Sequence, residues 1–216
     1  LVLESREVSY EAIKSVWQEV NVSGKLQAPH VFSKELNRFT QGLNPIGEGR
    51  VFGLHGMDGG ITYNNGEFLD TTFAEGNPLS IYMLYDYVTS DISAPILNME
   101  DHIDTDGDET CIEEIGKNSA RYMWEACVHG RGSSAIWQWA RTDDTSNAMV
   151  RGRITYRPDQ MAKVGHSAID VNRLSNEVAA LFNTKRTVQI VYSRPSVNRN
   201  YVVLDAMQKA YAAASY

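Results

Sequence analysis

Short apolar runs of strand length alternate with segments whose apolar residues recur every three to four positions, and this alternation constrains the fold more than any other feature of the chain. Consecutive strands joined by helices lie parallel, because a helical crossover returns the chain to the same edge of the sheet. The candidates are therefore a barrel of parallel strands or a doubly wound α/β sheet. No Gly-x-Gly-x-x-Gly follows any strand-like run, and Gly130-Arg131-Gly132 precedes its strand, so a dinucleotide or phosphate cradle is not expected.

The runs can be placed in order. Leu1–Glu4 reads as the end of a buried strand already in progress, and Val8, Ala12, Ile13, Val16, Trp17 and Val20 give helical spacing up to Gly24. Leu26–Phe32 and Arg50–His55 read as strands, the second closing on His55, Asp58 and two glycines. Pro78 opens a helix carrying Leu79, Tyr82, Met83 and Tyr85, and the apolar run Ala94–Met99 follows as a strand. A helix with Ala120, Met123, Trp124, Cys127 and Val128 stops at Gly130 and Gly132, before a strand over Ser134–Trp139. Val171, Leu174, Val178 and Leu181 mark one more helix, Thr187–Tyr192 a strand, and Tyr201–Ala214 a last helix.

Glu100 ends the run Ala94–Met99 and is followed at once by Asp101 and His102. Parallel strands of a barrel deliver catalytic groups at their carboxyl ends, so Glu100 is the leading site candidate. The strand period of two places Asn98 on the same face as Glu100. His102, His55 and Asp58 are candidates to bond a polar ligand from neighbouring strand ends. Trp137 and Trp139 point to opposite faces, so only one can reach the mouth of such a barrel. Arg141, just beyond, either orients Glu100 or forms a surface ion pair. The competing reading is a solvated acidic loop, since Asp104, Asp106, Asp108, Glu109, Glu113 and Glu114 follow closely. A calcium loop starting at Asp104 is excluded, because Glu109 stands at its sixth position and Ile115 at its twelfth.

With 43% hydrophobic residues in 216, the chain has material for a substantial core, and a net charge of −7 without any Lys/Arg cluster argues against a nucleic-acid partner. Cys111 and Cys127 lack the company of a disulfide framework or zinc site and read as free thiols. No apolar run approaches a membrane span, and nothing distinguishes a cytoplasmic from a secreted protein.

Within this frame, Pro95-Ile96-Leu97-Asn98-Met99-Glu100-Asp101-His102 resembles the strand-seven segment that bears the nucleophile in family 42 beta-galactosidases, a clan A glycoside hydrolase family. Arg121-x-x-Trp124 through His129-Gly130 resembles the helix that follows, and Trp137-Gln138-Trp139 resembles strand eight with its sugar-facing tryptophan. Val188–Ser193 followed by Tyr201–Tyr211 is similar to the opening of the flavodoxin-like trimerisation domain of that family.

The resemblance implies a partial TIM (β/α)8 barrel, about strands four to eight, over 1–183, and the start of a flavodoxin-like α/β domain over 184–216. It implies a retaining glycosidase of beta-galactosidase type with Glu100 as nucleophile and Trp137 as the sugar-facing indole. Glu4 lies where the strand count places the acid/base, although Leu3 stands where the clan carries Asn. Such a pair works at about 5–5.5 Å, and the mechanism requires no metal or organic cofactor. The expected partner is a beta-galactoside or related carbohydrate. Too few strands are present to close a barrel, so a homo-oligomer or a fragment completed by another chain segment is expected. The rival readings are a non-catalytic carbohydrate-binding protein with a degenerate barrel and an assembly subunit.

Overall fold

The computed structural model describes residues 2–27, 45–60, 79–90, 94–103, 115–137, 154–200 and 202–215. Helix α1 (Val2–Val16) leads to strand β1 (Lys25–Gln27), α2 (Pro45–Phe52), β2 (His55–Gly60), α3 (Leu79–Thr89), β3 (Ile96–His102), α4 (Ile115–Val128) and β4 (Arg131–Trp137). A 3-10 turn (Ile154–Tyr156) then precedes α5 (Pro158–Arg173), α6 (Ser175–Phe182), α7 (Arg194–Arg199) and α8 (Val202–Ser215). The strands form one four-stranded sheet in chain order, β1-β2-β3-β4, and every pairing is parallel. The α/β class expected from alternation is therefore the class observed, and the described strands form an open sheet without barrel closure.

Helix α3 is the centre of the core. Its Ile81, Tyr82, Leu84, Tyr85 and Val88 are buried, joined by Met57 of β2, Ile96 of β3, and Tyr122, Met123 and Ala126 of α4. A helix apolar nearly all round belongs inside the protein, and α3 is enclosed by β2, α4 and α8. Leu204, Met207 and Ala212 of α8 enter the same cluster, so the segment after residue 184 shares this core instead of opening a second one among the described residues. Tyr211 fixes that docking by donating to Asp86 of α3 at 2.8 Å, and Tyr192 packs on Tyr87 with ring centroids 4.7 Å apart.

Several sequence expectations are corrected. Leu1–Glu4 is not the end of a strand, because from Val2 onward these residues form the first turn of α1. The half-buried face of α1 is Leu3, Arg6, Tyr10 and Lys14, with Tyr10 against Phe52 of α2 at 5.5 Å, whereas Val8, Ile13, Val16 and Trp17 are exposed. Arg50–Phe52 ends α2 instead of forming a strand, and β2 begins only at His55, where the expected strand closes, and continues through Gly59 and Gly60. Gly56 suits a buried parallel strand, because a Cβ there would overlap the backbone carbonyl of Gly24 and the Ser23 hydroxyl.

Thr187–Tyr192 has the composition of a strand but is not part of the described sheet; Ile190 and Tyr192 pack on the core while Val188 and Val191 face out. β-propensity alone makes no strand. The helix read over Val171–Leu181 is two, α5 and α6, broken at Leu174. Strand β1 agrees with the start of the expected run, and residues 28–32 lie outside the described residues. No helix among the described residues is long and apolar enough to cross a membrane.

Candidate functional site

The placement of β3 side chains is decided by one extra residue. Met57 of β2 pairs with Asn98 and the next residue, Asp58, with Glu100, while on the other side Ser134 pairs with Asn98 and Ile136 with Asp101. Both neighbours therefore pass over a residue of β3 between Asn98 and Asp101, a β-bulge. The bulge inverts alternation: Asn98 and Asp101 face the helices together, and Glu100 and His102 face the opposite side. The expectation that Asn98 shares a face with Glu100 is thus overturned, because the period of two does not survive the inserted residue.

On the face away from α3 and α4, four polar side chains meet, three from the carboxyl-terminal halves of β2 and β3 and one from the start of β1. Lys25 of β1 sits 3.0 Å from Asp58 and forms an ion pair with Glu100. His102 Nε2 lies 3.6 Å from Glu100 and 4.0 Å from Asp58. Burial is graded, with Asp58 only 1% exposed, His102 5%, Glu100 20% and Lys25 39%, so the cluster has a closed floor and an open mouth. Partial burial lowers the pKa of Lys25, but Glu100 and then Asp58 hold its proton, and the net displacement is above the ordinary lysine value. Trp137, the last residue of β4, places its indole 6.0 Å from the His102 ring.

Behind Glu100 the other face of β3 carries a different carboxylate. Asp101 is fully buried and ion-paired with Arg131, and it accepts from Tyr122 at 2.8 Å, Asn98 at 3.0 Å and Ser134 at 2.5 Å. Arg131 also donates to the Met123 carbonyl of α4 at 3.0 Å, and Asn98 donates to Tyr85 of α3 at 2.8 Å. The side-chain oxygen of Asn98 accepts the Glu100 backbone N–H at 3.3 Å, which ties the bulge to this network. Burial pushes the phenols of Tyr85 and Tyr122 well up, and the Asp101 charge adds to the effect.

Of the candidate residues, Glu100, His102, Asp58 and Trp137 lie close together. Asn98 belongs to the buried network. His55 does not reach the cluster, since it begins β2 at the amino end instead of closing a strand, and its ring packs so tightly on α2 that a Cβ on Gly49 would overlap it. Glu4 is exposed on α1, so the strand-end placement that paired it with Glu100 falls. Arg141 and Trp139 lie outside the described residues.

Lys25, Asp101 and Arg131 were missed. Lys25 only flanks an apolar run, and Arg131 sits between glycines that mark a turn, where Gly130 takes a φ of +98°. The available signal was the triplet Glu100-Asp101-His102 itself: three ionisable residues along a strand leave at least one facing the core, which then requires a buried partner. Asp58, Glu100 and His102 each offer a ligating atom within 4.8 Å of the others, making them the group among the described residues able to share one metal ion, although the sequence suggested no metal ligand.

No family model, curated protein or solved structure matches this chain.

Proposed function

We propose that the chain carries the nucleophile side of a retaining glycoside hydrolase of beta-galactosidase type, with β3 and β4 in the places of barrel strands seven and eight. The observation that carries this reading is the division of labour across the sheet. Helices α3 and α4 cover one face, while Glu100, Asp58, His102 and Trp137 gather on the opposite face at the carboxyl ends of parallel strands. A (β/α)8 barrel has this arrangement, with helices outside and chemistry at the carboxyl rim of the inner surface.

The chemistry follows from the environment of each group. Glu100 is bonded to the Lys25 ammonium as a carboxylate, the form that attacks an anomeric carbon, and its exposure leaves it reachable. Trp137 offers an indole face on which the apolar side of a pyranose can stack. His102 and Asp58 are positioned to bond sugar hydroxyls beside Glu100. Asp58 shares the ammonium with Glu100 and is unsuited to donate the proton for the leaving oxygen while that pair persists. In this reading the region after residue 184 remains the start of a flavodoxin-like domain only by its resemblance.

Incubation with a 2-fluoro-beta-galactoside carrying a good leaving group tests the proposal, because it traps the nucleophile as a stable ester. Mass spectrometry should find the adduct on Glu100, and Glu100→Gln should show no adduct and no turnover of a chromogenic beta-galactoside. Galactoside binding without adduct or turnover in the unaltered chain would favour the non-catalytic carbohydrate-binding reading, which the helical position of Glu4 supports by removing the expected acid/base. Neither binding nor turnover would reject both.

A further inference from the structure

We propose that Asp58, Glu100 and His102 form a binding site for a divalent ion of the Mn²⁺/Zn²⁺ class, which exchanges with the Lys25 ammonium. The inference goes beyond the glycosidase reading and does not depend on it. Its basis is the donor set: two carboxylates and an imidazole, from adjacent positions on two parallel strands. Glu100 and His102 stand two apart on β3, so both project from one face, and Asp58 is the register partner of Glu100 on β2.

The spacing suits a single ion. Metal–ligand bonds of about 2.1 Å place neighbouring donors about 3.4 Å apart in a tetrahedral shell. His102 Nε2 already lies 3.6 Å from Glu100 and 4.0 Å from Asp58, and all three ligating atoms fall within 4.8 Å of one another. Closing on an ion therefore needs only rotation of side chains, chiefly Glu100, the most exposed of the three. Two ligands are held in a nearly closed floor, so little ordering remains to oppose binding.

An independent observation points to a cation. The Lys25 ammonium is already lodged against two of the three ligands, contacting Asp58 at 3.0 Å and Glu100 more closely. Two carboxylates facing one ammonium leave an excess negative charge that a divalent ion neutralises fully. Lys25 is more than a third exposed, so its flexible stem can withdraw to solvent without unpacking the core. Carboxylate and imidazole ligands together suit Mn²⁺ and Zn²⁺, whereas Mg²⁺ favours oxygen-only shells and retained waters.

Titrating the full chain with Mn²⁺, followed by loss of the free-ion paramagnetic resonance signal, tests the proposal with no reference to activity. Mn²⁺ also avoids the thiols of Cys111 and Cys127, which are poor ligands for it. One saturable site is expected, displaced by Zn²⁺ and insensitive to equimolar Mg²⁺. His102→Asn should weaken binding at least about 10-fold. Because that variant alters a buried side chain, Lys25→Met is paired with it: removing the competing ammonium should tighten binding several-fold. Absence of saturable uptake by the unaltered chain, or equal affinity in His102→Asn, would overturn the site. Unchanged affinity in Lys25→Met would overturn the exchange between ammonium and metal.

Discussion

Glu100 and Asp101 are chemically similar neighbours with opposite surroundings. Glu100 faces a half-open cluster with Lys25 and His102, while Asp101 is sealed beneath the sheet by Arg131, Tyr122, Asn98 and Ser134. The sealed carboxylate has its hydrogen-bonding capacity filled by protein groups from β3, β4 and α4, which suits it to holding elements in register and not to reacting. Glu100 has a partly exposed cation and access to solvent, which suits it to binding or attack. The bulge between them makes the difference, and Asn98 joins both sides by bonding Asp101 with its amide and accepting the Glu100 N–H.

High pH should break the sealed side first. Burial raises the pKa values of Tyr82, Tyr85, Tyr122 and Tyr211, and lifts Tyr87 to about 12. A phenol whose folded pKa exceeds its unfolded value of about 10 keeps its proton longer in the native state, so its contribution is complete below that pH. The unfolded chain then binds fewer protons than the native one, and stability falls as pH rises through the folded value. Denaturant midpoints should stay level from about pH 7 to 9 and drop steeply between about 10 and 12, with tyrosinate absorbance appearing together with unfolding.

The next largest effect is expected at Arg131, only 2% exposed. Arg131→Met leaves Asp101 charged and buried, and should cost about 3–5 kcal/mol in urea unfolding. Adding Asp101→Leu should recover most of that loss, which would separate an unpaired charge from lost packing. Tyr122→Phe removes one of four side-chain donors to Asp101 and should cost about 1 kcal/mol. Lys25→Met, at the open cluster, should cost clearly less than Arg131→Met, because solvent reaches Lys25 and Glu100, although it also takes a cation from the buried Asp58. If it cost as much as Arg131→Met, the contrast between the two faces would fail.

The comparison also shows which signals were legible. Helix α3 was readable from Leu79, Tyr82, Met83 and Tyr85, because their placement depends on local spacing and near-total burial. Strand β3 was readable as a short apolar run bounded by turns, whereas β4 begins at Arg131, three residues before the expected Ser134, and runs through Gly132, which was read as a stop. His55 was assigned to the wrong end of its strand because α2 and β2 adjoin with only Gly53 and Leu54 between, and the helical and strand periods blur across so short a link. Asn98 was assigned to the wrong face because a bulge leaves no mark in composition.

The sequence by itself determined the α/β class, the burial of α3 and the presence of ionisable residues at the end of β3, since these follow from the local periodicity of apolar residues and from chain order. Tertiary structure alone decided that Glu100 and His102 share a face with Asp58 and Lys25 while Asp101 turns inward to Arg131. The same held for Leu1–Glu4 and Thr187–Tyr192, which have strand composition and are not strands. The physical reason is common to all of these: strand pairing and register are contacts between distant segments, and which partner wins depends on what the rest of the fold leaves available.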